Sequence, residues 1–159
     1  MSETISMVRA TSADAEDVRA LTRSAYAKWV AVIGREPKPM GADYAHAVEN
    51  HRIDLLYRDG VLAALIEMIP QPDHLLIENV AVSPDFQKRG LGRALMTHAE
   101  AVAAAMGLGL LRLYTNQRFE ENVRLYQGLG YQIDSEEAFA GGVVVHMSKA
   151  LRGLFTRRN

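Results

Sequence analysis

Two apolar runs joined by an Asp-Gly pair limit the folds open to this chain. Residues 53–58 and 61–69 are rich in branched aliphatic side chains, and Asp59-Gly60 lies between them. Asp-Gly is a favoured pair for a two-residue hairpin, because both positions tolerate a positive φ. We therefore predict two antiparallel strands in the middle of the chain, which argues against a purely parallel sheet.

The rest of the chain alternates between strand and helix patterns. Thr11 with an acid three residues later, Asp14, is typical of a helix start, and apolar residues at three- and four-residue steps then run towards Gly34. In chain order the predicted elements are strand 5–9, a helix of about 20 residues, helix 43–50, strands 53–58, 61–69 and 74–82, helix 90–106, strand 110–115, helix 120–128, and strands 131–134 and 143–149. One mixed, mostly antiparallel sheet with helices on both faces would bury this set. We expect a mixed α/β fold in a single domain over residues 1–159, ending in a basic tail over about 152–159.

Composition excludes several kinds of chemistry. The 159 residues include no cysteine, so disulfides, thiolate nucleophiles and cysteine-ligated zinc are excluded, and a cytoplasmic protein is expected. The histidines lack ligand spacing, so no metal is expected. A formal net charge of -1 makes nucleic acid an unlikely partner. The chain shows no signal-peptide start and no apolar run of about 18 residues, so no membrane partner is expected.

A glycine-containing loop between a predicted strand and a predicted helix carries the most specific chemistry. Gln87, Gly90 and Gly92 have Gln-x-x-Gly-x-Gly spacing, with Lys88, Arg89 and Arg93 beside them. A helix start presents unpaired N–H groups and a positive dipole end, and glycine lets an anion approach the backbone. The pattern therefore predicts a pyrophosphate cradle. The plainer alternative is a capped surface loop that only starts a helix.

A second block extends this pattern. Asn122, Tyr126, Gly130 and Tyr131 have Asn-x-x-x-Tyr-x-x-x-Gly-Tyr spacing, and a predicted strand separates them from the glycine loop. Together the two blocks resemble the GNAT-type N-acetyltransferase superfamily, and the order of elements along nearly the whole chain is similar too. The resemblance implies an acetyl-CoA-dependent N-acetyltransferase that acts by direct attack in a ternary complex, with a sheet that splays at its fourth strand. A coenzyme A-binding sensor or docking module without catalysis is the alternative.

The resemblance also implies roles for particular residues. Tyr126 would be the general acid that protonates the leaving thiolate, although a tyrosine merely packed on the sheet is the alternative. Glu78 would be the general base, or would instead orient the amine or face solvent. The residues expected to bind the cofactor are Val80, Ala81, Val82, Gln87, Lys88, Arg89, Gly90, Leu91, Gly92, Arg93, Asn122 and Tyr126.

The acceptor amine is the part that the sequence defines least. The first two helices and their loop would contact it, with Tyr26, Arg35, Met40 and Tyr44 as candidates, while Arg35 could equally be a solvated loop charge. A small molecule or a protein amine would fit. A homodimer is common among proteins that resemble this chain, and the basic tail could dock a macromolecular substrate or be a frayed terminus.

Overall fold

The computed structural model describes residues 4–151, in which seven strands and four α-helices form two compact units. The elements are β1 (Ile5–Arg9), α1 (Ala15–Ile33), α2 (Tyr44–Asn50), β2 (Arg52–Arg58), β3 (Val61–Pro70), β4 (Leu75–Val82), α3 (Leu91–Ala105), β5 (Leu110–Asn116), α4 (Glu120–Gly128), β6 (Gln132–Phe139) and β7 (Gly142–Ala150). The first unit consists of the residues up to Met68 and of Asn79–Leu95. The second unit consists of Ile69–Glu78 and the residues from Met96 onward. The predicted basic tail lies outside the described residues, and the single domain stays a prediction.

The strands β1, β2 and β3 of the first unit form antiparallel pairs in chain order. The turn between β2 and β3 has positive φ at both central residues, 50° at Asp59 and 81° at Gly60. This is the geometry of a primed turn, whose twist matches that of the flanking strands. The hairpin predicted from Asp-Gly is therefore confirmed.

Helix α1 begins and ends where its sequence signals lie. Asp14 accepts a hydrogen bond from the Thr11 backbone N–H at 2.8 Å, and a single 3-10 turn, Ser12–Asp14, precedes the α-helix. Gly34 ends the helix with φ of 75°. The apolar stripe of α1, which includes Val18, Leu21, Ala25 and Trp29, is buried. This stripe belongs to the first unit and accounts for the periodicity in the sequence.

The core of the first unit joins residues from α1, α2 and the neighbouring strands. Val18, Tyr44, Ile53, Leu65 and Ala81 all belong to one buried cluster. Burying a valine, leucine or isoleucine side chain contributes about 1.5–3 kcal/mol relative to leaving it exposed. Because Ala81 is part of this cluster, the end of β4 is fixed against α1 and α2 of the same unit.

In the second unit the strands lie in the order β4, β5, β7 and β6. The first half of β4 is parallel to β5, from Leu75↔Leu111 to Ile77↔Leu113, whereas the β5–β7 and β6–β7 pairs are antiparallel. A parallel pair needs a crossover connection, which α3 supplies along the chain. The predicted mixed and mostly antiparallel arrangement is therefore confirmed, and the mixed α/β class with it. The splay at the fourth strand stays a prediction.

Strand β6 is longer than its sequence pattern indicates. The predicted strand over 131–134 is confirmed from Gln132 but ends too early, because β6 runs to Phe139 and turns through Ala140 and Gly141 into β7. Every residue of β6 is exposed. A strand with no buried face has no apolar alternation, so the polar run at residues 135–137 hides it.

No helix within residues 4–151 is long and apolar enough to cross a membrane.

Candidate active site

The glycine loop of the first unit enters α3 with its backbone in the left-handed region. Lys88 has φ of 64° and Gly90 has φ of 79°. The first helical hydrogen bond runs from the Ala94 N–H to the Gly90 carbonyl at 3.0 Å. The amides just before Ala94 therefore precede the helical ladder, as at any helix start. An added Cβ on Gly90 would meet no atom within 4 Å, so the backbone conformation, not crowding, explains the glycine.

The Gln87 side chain braces the loop. Its Nε2 donates to the Val82 carbonyl at 3.0 Å, and its Oε1 accepts from Lys28 Nζ at 3.2 Å. Both bonds lie within the first unit, so they join the loop to the end of β4 and to α1. The sequence predicted Gln87 as a cofactor-binding residue, and the structure also gives it a role in shaping the loop.

The three basic residues of the loop are exposed. Lys88, Arg89 and Arg93 are all exposed to solvent, and the Arg89 guanidinium lies 5.6 Å from the centre of the Phe86 ring. Exposed cations are screened by salt and add modest energy individually. Next to the unpaired amides of a helix start, they favour a ligand with several negative charges. A pyrophosphate fits this set of donors.

Strand β4 alternates between a buried and a half-buried face. Asn79 and Ala81 are buried, whereas Val80 and Val82 are half-buried. The Val80 carbonyl accepts from the Tyr26 hydroxyl at 3.2 Å. Because the Ala81 side chain faces the core, this residue can offer a ligand only its backbone.

The four predicted acceptor residues all lie in the first unit, but in different environments. Tyr26 and Arg35 are half-buried, and the Arg35 guanidinium donates to the Glu36 carbonyl at 3.4 Å. Met40 and Tyr44 are only 5% and 3% exposed, and the Tyr44 hydroxyl donates to the Pro39 carbonyl at 2.7 Å. Tyr26 and Arg35 are therefore better placed to meet an acceptor, while Met40 and Tyr44 pack in the interior. Substrate contact stays a prediction for all four.

A buried polar group that the sequence analysis missed lies beside Tyr44. Asn79 is 3% exposed, and its amide donates to the Thr22 hydroxyl at 3.2 Å and to the Tyr44 hydroxyl at 3.3 Å. These bonds hold β4 against α1 and α2 within the first unit. The signal in the sequence is the amide of Asn79 within a mostly apolar strand, because a buried amide needs hydrogen-bond partners.

In the second unit, the predicted acid Tyr126 is a buried residue of α4. It is 8% exposed, and burial raises the pKa of its phenol to about 12. Its ring centre lies 6.1 Å from that of Tyr131, at an interplanar angle of 58°. The phenol therefore keeps its proton at neutral pH, as a general acid requires. Asn122, in the first part of α4, is half-buried.

The predicted base Glu78 also lies in the second unit and has a partner that the sequence did not indicate. Its Oε1 accepts a hydrogen bond from the Tyr114 hydroxyl at 2.7 Å, and both side chains are half-buried. Tyr114 pairs with His146 in the β5–β7 register, and the two ring centres are 6.1 Å apart. Glu78 is thus a held carboxylate and not a freely solvated one.

Tyr131 is buried to 3% exposure, and its hydroxyl has no hydrogen-bond partner among residues 4–151. Burial, with the charge of Glu100, raises the pKa of this phenol. Within the same described range, no group of three or more His, Asp or Glu side chains is placed to hold a metal ion.

Comparison with known proteins identifies the class. The model of the Acetyltransferase (GNAT) family matches residues 16–131, which is most of the chain. The chain belongs to this family, as its two sequence blocks indicated.

Curated relatives match over shorter stretches. The ribosomal protein bS18-alanine N-acetyltransferase of Escherichia coli is 33% identical over 76 residues, covering 48% of this chain and 51% of that protein. Mouse N-alpha-acetyltransferase 80 is 39% identical over 71 residues, covering 45% of this chain and 21% of that protein. The chain thus spans about half, or less, of the lengths of these relatives.

Solved structures match over nearly the whole chain. The paia N-acetyltransferase of Thermoplasma acidophilum, in complex with coenzyme A, has a TM-score of 0.80 at 16% identity, covering 92% of this chain and 99% of that one. The ribosomal-protein-S18-alanine N-acetyltransferase of E. coli has a TM-score of 0.76 at 20% identity, covering 93% and 94%. At these identities the comparison supports the fold.

Proposed function

We propose that the chain is an acetyl-CoA-dependent N-acetyltransferase that moves an acetyl group to a primary amine by direct attack in a ternary complex. The observation that carries the proposal is the start of α3, where Gly90 and Lys88 adopt positive φ before a run of amides that precede the helical ladder. Membership of the acetyltransferase family and the N-acetyltransferase names of the relatives support it. The chain has no cysteine, which fits transfer without an acetyl-cysteine intermediate.

The residues for cofactor binding follow from the loop. Backbone N–H groups over residues 88–93 would hold the pyrophosphate of acetyl-CoA, and Lys88, Arg89 and Arg93 would add positive charge. The backbone of Val80, Ala81 and Val82 would bind the pantetheine arm. Asn122 would contact the cofactor near that arm. When bound, acetyl-CoA supplies an acetyl group activated as a thioester. The Val80 N–H would donate to the thioester carbonyl, a kind of contact typically worth about 2.7–4 kcal/mol in such reactions.

Two side chains would move protons. Glu78 would accept a proton from the amine, which is mostly protonated at neutral pH and must lose that proton to attack. Tyr126 would donate its proton to the departing sulfur. With a pKa of about 12, its phenol is a weak acid that gives up its proton only as negative charge builds up on the sulfur.

The acceptor in this proposal is a small-molecule or protein amine. The name of one relative specifies the alanine of a ribosomal protein and that of another specifies N-alpha-acetylation, which supports including peptide N-termini among the candidates. Tyr26 and Arg35 are the proposed acceptor contacts, because they are half-buried. We include a cytoplasmic location, since a chain without cysteine needs no oxidising compartment. The proposal also includes a homodimer. It includes no resident metal.

Detection of free thiol tests the activity. The purified protein is incubated with acetyl-CoA and a panel of polyamines, amino acids and short peptides with free N-termini, and coenzyme A release is measured. We expect release with at least one acceptor class, and calorimetry should show binding of acetyl-CoA. Binding without thiol release across the whole panel would favour the non-catalytic module, and absence of binding would reject both.

A further inference from the structure

We propose that Tyr114 is a positioning residue that holds the Glu78 carboxylate in the orientation needed to take a proton from the acceptor amine. This inference rests on the proposed role of Glu78 as base. It concerns four residues of the second unit, Glu78 on β4, Tyr114 on β5, His146 on β7 and Glu137 on β6.

The register of β4 and β5 brings Tyr114 to Glu78. The parallel pairing runs up to Ile77↔Leu113, and Glu78 and Tyr114 are the next residue on each strand. The Tyr114 hydroxyl donates to Glu78 Oε1 at 2.7 Å. A short bond from a hydroxyl to a carboxylate is roughly twice as strong as one between neutral groups. The strands thus place the donor, and the donor holds the carboxylate.

Tyr114 is itself held from the opposite side. His146 is its register partner on β7, and the imidazole and phenol rings are 6.1 Å apart at an interplanar angle of 42°. His146 Nε2 also lies 3.1 Å from Glu137 Oε1, in an exposed contact that adds modestly to the order of the imidazole. Side chains that point the same way on neighbouring strands therefore support the Tyr114 ring, and its hydroxyl has a defined direction.

The bond has a consequence for proton transfer. The terminal torsion of a glutamate is broad and roughly two-fold, so an unheld carboxylate samples many orientations. With Oε1 engaged by Tyr114, Oε2 is the oxygen presented to the amine or to a bridging water. Reacting groups need close alignment, and a misplacement of about 1 Å can cost roughly 100-fold in rate. A held base should therefore outperform a mobile one at the same position.

The test is a double-mutant cycle with Tyr114→Phe and Glu78→Gln, using the acceptor found in the thiol assay. Tyr114→Phe keeps the ring beside His146 and removes the hydroxyl that donates to Glu78. We expect it to lower kcat about tenfold, with the KM for acetyl-CoA within about twofold of wild type. In the Glu78→Gln background the same change should have almost no further effect, because a positioning residue acts only through the group it holds.

Tyr57→Phe is the matched control, because Tyr57 is a half-buried strand tyrosine of the first unit. It should leave kcat unchanged, and the melting temperatures of all the variants should be compared. If Glu78→Gln lowers kcat but Tyr114→Phe lowers it equally in both backgrounds, the positioning role is wrong while the base survives. Unchanged kcat in Tyr114→Phe also overturns it. If Glu78→Gln alone has no effect, the role of Glu78 as base fails and the inference fails with it.

Discussion

In the proposed reaction, the glycine loop of the first unit and the residues Glu78 and Tyr126 of the second unit would contribute in different ways. The loop offers backbone amides, and its shape depends on positive φ at Lys88 and Gly90. The second unit offers side chains, a buried phenol at Tyr126 and a held carboxylate at Glu78. A backbone site tolerates most side-chain changes and fails when its conformation is lost. A side-chain site fails when one functional group is removed.

The largest expected effect is the loss of kcat when the Tyr126 hydroxyl is removed. Tyr126→Phe should lower kcat by about 100-fold or more, because general acid catalysis typically contributes about 10²–10⁴-fold. The affinity for acetyl-CoA should stay within about twofold, since the loop is unchanged. Single-turnover kinetics and calorimetry on the same variant measure both quantities. An unchanged kcat would remove Tyr126 as the acid and leave it as a packing residue.

Alkaline pH should lower the free energy of unfolding through Tyr126. Burial raises the pKa of Tyr126 to about 12, above the ordinary value of 10.0, so the folded state keeps a proton that the unfolded state loses first. Stability should therefore be unaffected by this group below about pH 10 and fall by about 1.4 kcal/mol per pH unit between about pH 10 and 12. Urea unfolding across that range measures the slope. Tyr126→Phe should make the slope shallower, and an equal slope in that variant would contradict the assignment.

A conformational change in the glycine loop should weaken acetyl-CoA binding and spare kcat, whereas loss of the Tyr126 phenol should lower kcat and spare binding. Gly90→Ala forces a residue with a Cβ to φ of 79°, which costs about 1–2 kcal/mol. We expect acetyl-CoA to bind about 5- to 30-fold more weakly, with kcat at saturation nearly retained. Gly141→Ala is the matched control, because Gly141 has φ of 80° and equal space but lies in the β6–β7 turn. Equal loss of affinity in both variants would show that strain alone, and not the cradle, is responsible.

The smallest expected effect is on stability and concerns the hydroxyl of Tyr131. Tyr131→Phe removes a buried group that has no hydrogen-bond partner among the described residues, so the folded state should gain up to about 1 kcal/mol. Thermal unfolding should show a slightly higher melting temperature, with kcat unchanged. A fall of several degrees would mean that the hydroxyl bonds an internal water that matters for stability.

Local signals were readable from the sequence, and long-range ones were not. Asp59-Gly60, Gly34 and Gly90 each mark a backbone conformation that depends on a few neighbouring residues. The positive φ predicted for Asp59 and Gly60 is confirmed, and Gly34 and Gly90 also have positive φ. Edge strand β6 was predicted too short, because apolar alternation reports burial and every residue of β6 is exposed.

The partners of the candidate residues were also out of reach. Gln87 was recognised by its spacing, but its bond to Lys28 depends on how α1 packs in the first unit. The bond between Tyr114 and Glu78 depends on the register of two strands that are separated along the chain by α3. Residue type and spacing indicate which groups can react, whereas tertiary packing decides which groups hold them.

The exposed strand β6 has a consequence for self-association. Its open edge carries Asp134, Glu136 and Glu137 within four residues, all exposed. Two copies joined edge to edge along β6 would bring these carboxylates close together, and facing like charges destabilise strand pairs. The acidic strand therefore discourages continuous sheets between copies, and any homodimer should form through another surface.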